Sequence, residues 1–210
     1  MFVKDFLLSH GQIEVVMDIA AGCGYGTDIL SKLARKVIAL ENNPDILEQL
    51  KKQFHSIQTV VVHCHDLEKE TLLHKKYGQH ADLIVSFETL EHLENPYKNI
   101  LEFYNILATD GYLILSVPNE KFESVDSEGI PKSVYHKVVL TERDIENYLH
   151  EAGFRIIGQY GQSQLNLLMK QENKLYRKRQ IRSRFSSIGE LHERDNMIKS
   201  AYLFAYPTDQ

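Results

Sequence analysis

Three acidic residues in this chain each close a short apolar run: Asp18 in VVMDIA, Glu41 in VIALENN and Asp66 in TVVVHCHD. Between the first two lies a turn rich in glycine, Gly22-Cys23-Gly24-Tyr25-Gly26. Glycine in such a turn lets a ligand come close to the backbone. The spacing is not that of a dinucleotide fingerprint, Gly-x-Gly-x-x-Gly, because the third glycine arrives one position early. A carboxylate at Asp18 would repel a pyrophosphate and attract an ammonium or a sulfonium. Glu41 follows Asp18 by 23 residues, where doubly wound nucleotide binders hold ribose hydroxyls, since a carboxylate accepts two hydrogen bonds from a diol. Asp66 can accept from an exocyclic amine such as that of adenine. Each acid taken singly can be a helix cap. In this order they describe a ligand with a cationic amino-acid end, a ribose and an adenine, which is S-adenosylmethionine.

A second constellation follows the fourth apolar run, in SFETLEHLENP. Glu88, Glu91 and His92 stand at i, i+3 and i+4, so one helical turn would put all three on one face. His92 is the preferred general base, its unperturbed pKa being about 6.5. The competing reading is that Glu88 and Glu91 favour a helix N-terminus electrostatically while His92 packs beside the ligand. His63, His65 and His74 surround the third run without metal-ligand spacing and are read as structural.

The elements that must position these groups alternate along the chain. Strands are expected over 15–20, 36–41, 59–66, 81–88, 111–119, 155–161 and 201–207, and helices over 26–35, 43–54, 95–108 and 141–154. Asn43-Pro44 and Asn95-Pro96 are helix-start signals, and Thr141 with Asp144 three residues on reads as a cap. This alternation predicts a largely parallel sheet with helices on both faces. Segments 120–140 and 163–199 break the pattern, at the end of the sheet where substrate-contacting loops sit. With 210 residues, 43% hydrophobic and 25% charged, one full domain over 1–210 is expected. The net charge of −5 argues against a surface that coats nucleic acid or anionic membrane. Two distant cysteines, no signal-like start and no long apolar span predict a soluble, cytoplasmic protein.

The motifs VVMDIAAGCGYG, VIALENNPD, HDLE, ADLIVSFETLEHLENP and LATDGYLILSVPN resemble those of the class I S-adenosylmethionine-dependent methyltransferases, over about residues 15–162. That resemblance implies a doubly wound, seven-stranded sheet of order 3-2-1-4-5-7-6 with the last strand antiparallel. The cofactor-binding set it implies is Asp18, Ala20, Gly22, Gly24, Tyr25, Glu41, Asn42, Asp66, Leu67, Phe87 and Glu88. Asp18, Ala20, Gly22 and Gly24 would border the methionine part, Glu41 the ribose, and Asp66 with Leu67 the adenine. SFETLEHLENP and YHKVVLTERDIENYLHEAGF look like the small-molecule branch, which includes ubiquinone-pathway O-methyltransferases and enzymes of cell-surface saccharides. In the former, a Glu-x-x-Glu-His cluster can hold a divalent metal, an alternative role for Glu88, Glu91 and His92; no metal is assigned. The resemblance places His136 near the acceptor pocket, with Asn119, Phe122 and Tyr135 able to line it. His92 and His136 are thus the expected catalytic pair. The Asn/Asp-Pro-Pro-Tyr/Phe of DNA amine methyltransferases is replaced by Ser86-Phe87-Glu88-Thr89, and the Pro-Cys of cytosine C5 enzymes is absent. Only about 14 residues precede the first strand, so the helix that often covers the cofactor would be short or absent.

The expected activity is O-methylation of a small molecule or glycan precursor. Segment 170–185 carries seven bases against one acid, Glu172, and suits an anionic partner. It leaves open an RNA or protein methyltransferase docking through that segment. A third possibility is a cofactor-binding subunit without catalysis.

Overall fold

The first strand, β1 (Ile13–Ile19), shows why the sheet is buried on both sides. Successive residues of a strand face opposite ways, so Met17 and Ile19 enter one core while Val16 enters the other. A strand apolar on both faces belongs inside a parallel sheet, and β1 pairs in parallel with β2 (Ala34–Glu41) and with β4 (Ala81–Phe87). The computed structural model describes residues 13–70, 73–77, 81–118, 125–163 and 198–207.

The outer neighbours complete a five-strand parallel arrangement in the order β3-β2-β1-β4-β5, with β3 over Val60–Cys64 and β5 over Leu107–Pro118. The α/β class and the mostly parallel sheet agree with the sequence expectation. Beyond β5 the backbone of β7 (Ile198–Pro207) runs antiparallel to it and to β6 (Phe154–Ser163).

Helices cover both faces. α1 (Tyr25–Leu30) packs Leu30 on one side, and α2 (Pro44–Phe54) buries Leu47, Leu50 and Phe54. The five-residue α3 (Leu73–Tyr77) follows β3, where no helix was expected. α4 (Pro96–Ile106) and α5 (Glu142–Ala152) bring Ile100, Phe103, Ile145 and Leu149 onto the face that holds Met17 and Ile19. Their starts are set locally. The Asn43 side chain accepts from the amides of Asp45 and Ile46, and Asn95 accepts from Lys98, each just before a proline at the first turn. Thr141 and Asp144 form a reciprocal capping box.

Two boundaries depart from expectation. α1 stops at Leu30, because Ala34 pairs with Ile13 and draws the chain into β2 early. β5 starts at Leu107 rather than near 111: Leu107 pairs with Ala81, the register shifts, and pairing resumes at Leu83–Tyr112. At this irregularity a Cβ on Gly111 would lie 2.9 Å from the carbonyl oxygens of Ala81 and Ala108, so only glycine fits. Asn119, Phe122, the basic segment 170–185 and the first 12 residues lie outside the described residues.

Candidate functional site

All the parallel strands end at one edge of the sheet, and the turns beyond them enclose a cavity of about 280 Å³. Its walls include Ala20 after β1, Glu41 and Asn42 after β2, and Asp66 with Leu67 after β3. Glu88, Thr89, His92 and Leu93 after β4 and Lys137 from the irregular 125–140 segment also line it, with Leu40, His65 and Glu68.

The turn after β1 is held open by backbone in the left-handed region, at Ala20 (φ 54°), Gly22 (φ 54°) and Gly24 (φ 80°). It is docked onto β2: the Ala21 amide donates to the Leu40 carbonyl at 2.9 Å, and the Gly22 amide to Glu41 Oε2 at 2.9 Å. Glu41 Oε1 also accepts from the amides of Asn42 and Asn43, at 2.9 and 2.8 Å. A carboxylate has about four acceptor sites. Glu41 therefore spends most of its capacity bracing the two turns and keeps a little for a hydroxyl in the cavity it lines.

Asp18 lies behind this turn, buried, and is not among the residues lining the cavity. Thr27 Oγ1 donates to its Oδ2 at 2.6 Å, and a Cβ on Gly26 would lie 3.3 Å from the same oxygen. Burial raises the Asp18 pKa to about 6, against the Thr27 hydrogen bond and with the help of the Glu41 charge. Carboxyls with pKa values shifted by burial cluster at functional sites.

Asp66 lines the cavity and also caps the turn that follows it, accepting from the amides of Glu68 (3.0 Å) and Lys69 (3.4 Å) and from Lys69 Nζ (2.8 Å). The Lys69 ammonium foremost, then those amides, hold its carboxyl below the usual range. Tyr25 is 76% exposed, and Phe87 packs against the core on the opposite face of the sheet; neither lines the cavity.

The grouping of Glu88, Glu91 and His92 on one helical face does not form. The chain after β4 passes through Glu88 in the left-handed region (φ 47°) and makes only a three-residue 3-10 turn, Leu90–His92. Glu88 is turned instead toward β5, where it accepts from Ser116 Oγ at 2.7 Å and its amide donates to the Ser116 carbonyl at 3.1 Å. What assembles is Glu91, His92 and His136, one ligand-type atom of each lying within 4.8 Å of the others. Glu91 is buried, and its Oε1 lies 3.8 Å from His92 Nε2. The His136 ring meets the His92 ring edge-on, centroids 4.9 Å apart. His92 Nδ1 lies 2.7 Å from the carbonyl oxygen of Tyr135. A carbonyl only accepts, so Nδ1 carries the proton and Nε2 is left as the basic nitrogen.

Sequence reasoning missed Leu40, His65, Glu68, Thr89, Leu93 and Lys137 as wall residues. Lys137 bonds to Glu68, 69 positions away, and no local spacing signals that pairing. His65, read as structural, lies on the cavity wall, buried with its Nδ1 3.2 Å from the Tyr77 hydroxyl.

A family model described as a methyltransferase domain matches residues 3–159. A Mycobacterium tuberculosis protein named "Probable S-adenosylmethionine-dependent methyltransferase" is 23% identical over 139 residues, covering 66% of this chain and 48% of that protein. The chain thus spans about half the length of the curated relatives it matches. Among solved structures, an S-adenosylmethionine-dependent methyltransferase from Mesorhizobium loti superposes with a TM-score of 0.67 at 17% identity, over 96% of this chain and 95% of that one. The DhpI–SAH complex superposes with a TM-score of 0.62 at 15% identity, over 99% and 83%. At such identities the likeness is one of fold. Among the described residues no helix is long and apolar enough to cross a membrane.

Proposed function

The chain belongs to the methyltransferase-domain family, of the class I S-adenosylmethionine-dependent kind, and we propose that it methylates an oxygen of a small molecule or glycan precursor, with His92 as the base. The observation that carries the assignment is the His92 ring on the cavity wall, its Nδ1–H fixed on the Tyr135 carbonyl and its Nε2 left basic. When bound, S-adenosylmethionine supplies a methyl group on a sulfonium, open to in-line displacement by the acceptor oxygen. The residues fit that group. Ala20 brings left-handed backbone to the wall, Glu41 faces the cavity with acceptor capacity for a ribose hydroxyl, and Asp66 with Leu67 walls the adenine end. Asp18 sits under the turn as a carboxylate that a nearby cation would help to ionise.

His92 Nε2 takes the proton that the acceptor hydroxyl loses as it attacks. Glu91, buried 3.8 Å from that nitrogen, stabilises the imidazolium so formed. His136 packs edge-on against the His92 ring. Positioning does the rest, since holding nucleophile and methyl in line supplies much of the acceleration.

A second reading has its own support: Glu91, His92 and His136 converge closely enough to hold a divalent ion, with Glu88 drawn off to Ser116. Two imidazoles and a carboxylate suit a zinc- or iron-class ion, which would polarise the acceptor hydroxyl.

The finer architecture, one domain over 1–210 with seven strands and substrate-side insertions near 120–140 and 163–199, belongs to the same reading, as does a cytoplasmic setting. Calorimetric titration with S-adenosylmethionine, S-adenosylhomocysteine and NAD tests the cofactor: micromolar binding of the two adenosyl ligands and none of NAD is expected. Release of S-adenosylhomocysteine from metabolite extract, and not from RNA or protein, then tests the acceptor class. Release from RNA instead would favour docking through 170–185, and adenosyl binding without turnover a cofactor-binding subunit. Loss of turnover on chelation would favour the metal reading.

A further inference from the structure

Lys137 is the one cation on the wall of the cavity among the described residues. Its Nζ lies 2.6 Å from Glu68 Oε2 and 3.2 Å from Glu94 Oε1. Glu68 also accepts from the Glu94 amide at 2.7 Å. The Lys137 amide donates to the Glu91 carbonyl at 2.8 Å. Four pieces of chain therefore meet at one residue: its ammonium holds the turn capped by Asp66 and the exit of the 3-10 turn at Glu94, and its backbone amide joins residues 135–138 to the 3-10 turn that bears His92.

The neighbours of Lys137 give this junction a consequence. Tyr135, two residues before it, supplies the carbonyl that holds the His92 Nδ1–H. His136, immediately before it, supplies the ring packed edge-on to His92. The segment carrying all three has no helix or named strand between Val125 and Thr141, only a bridge between Val125 and Pro131. An ion pair this exposed contributes little to global stability. Its effect is felt where it aims a neighbour.

We infer that Lys137 is a positioning residue: by tying residues 135–137 to Glu68 and Glu94 it fixes the tautomer and aim of His92, and it joins that aim to the turn at the adenine end of the cavity. The inference rests on the reading of that cavity as the adenosyl site for its coupling, and on geometry alone for the tautomer.

The test is nitrogen-15 NMR of the histidine rings in the full chain, at a pH where His92 is neutral. Wild type is expected to show His92 protonated at Nδ1. Lys137→Met and Glu68→Gln are expected to shift the tautomer ratio toward Nε2–H by roughly tenfold, the scale of one hydrogen bond, with the unfolding midpoint nearly unchanged. Lys137→Arg is expected to restore the wild-type ratio. Addition of S-adenosylhomocysteine should move the His92 signals in wild type and in Lys137→Arg, and much less in Lys137→Met. A His92 tautomer unchanged in both Lys137→Met and Glu68→Gln overturns the inference, as does a disturbance that Arg fails to restore. If S-adenosylhomocysteine does not bind at all, the cofactor reading fails, and the tautomer comparison still decides the role of Lys137.

Discussion

The carboxylate of Glu41 reaches back across the first turn to the amide of Gly22, 2.9 Å from nitrogen to Oε2. The acid at the end of the second strand thus shapes the turn after the first, while its other oxygen gathers the amides of Asn42 and Asn43. Bracing and ligand recognition share one side chain.

Glu41→Gln separates nothing and should harm both. The new NH2 cannot accept, so it faces at least one amide donor that has lost its acceptor. A stability loss of about 1–3 kcal/mol is expected, read from urea unfolding. Affinity for S-adenosylmethionine should fall by roughly tenfold or more by calorimetry. A loss of affinity with full stability would show that the Gly22 contact is not needed for the turn.

Asp18 gives a pH signature. Its folded pKa is about 6 against 3.8 for the free group. Between those values the folded state holds the proton more tightly than the unfolded chain, so stability falls as pH rises through that window. Above it the cost of ionising Asp18 reaches roughly 2–3 kcal/mol. Asp18→Asn keeps an oxygen for Thr27 and removes the charge. The variant should unfold at a higher temperature than wild type at pH 7.5, with the advantage gone near pH 4. Its affinity for S-adenosylmethionine should be weaker. A variant that gains stability and loses nothing in affinity would detach Asp18 from the cofactor.

What was legible in the sequence was what is decided locally. Asn43 and Asn95 cap the helices that follow because the acceptor and the amides it serves lie within three residues. Glu41 and Asp66 could be placed on one wall because parallel strands must end on one edge. The turn of the Glu88 side chain toward β5 could not be read, because its left-handed backbone answers to Ser116, 28 residues on. Nor could the hydrogen bond from the His92 ring to the Tyr135 carbonyl, brought by a segment more than 40 residues away. Spacing within a motif assumes the helix it would need, and here a three-residue 3-10 turn stands in its place.

Gly24→Ala probes how tightly the turn is built. Gly24 has φ 80°, and an added Cβ would lie 2.6 Å from Leu50 Cδ2 and 2.8 Å from Phe54 Cε2. The left-handed backbone costs about 1–2 kcal/mol for alanine and the overpacking about 1–3 more. Gly129→Ala is the control, with φ 81° and nothing within 4 Å of its Cβ. Gly24→Ala should therefore be the more destabilising of the two by at least about 1 kcal/mol in urea unfolding. Equal losses would mean that Leu50 and Phe54 yield to the methyl group freely.

His92→Asn removes the base while sparing its anchor. The asparagine NH2 can donate to the Tyr135 carbonyl much as Nδ1–H does, so residues 135–137 keep a partner on the 3-10 turn. No basic nitrogen remains on the cavity wall at that position. Turnover, followed as S-adenosylhomocysteine release with an active acceptor, should fall by about 10²–10⁴. Affinity for S-adenosylhomocysteine should stay within about threefold, since the proton transfer is made only during the reaction. Chelation sorts the remaining cases. If wild-type turnover survives chelation and His92→Asn abolishes it, His92 acts as the base. If both treatments abolish it and added zinc restores the chelated wild type, the imidazole serves as a metal ligand, and the ion it would hold with Glu91 and His136 would polarise the acceptor. If His92→Asn turns over at the wild-type rate, the acceptor needs no base here, as a nitrogen or thiolate nucleophile would not, and the assignment to oxygen falls with it.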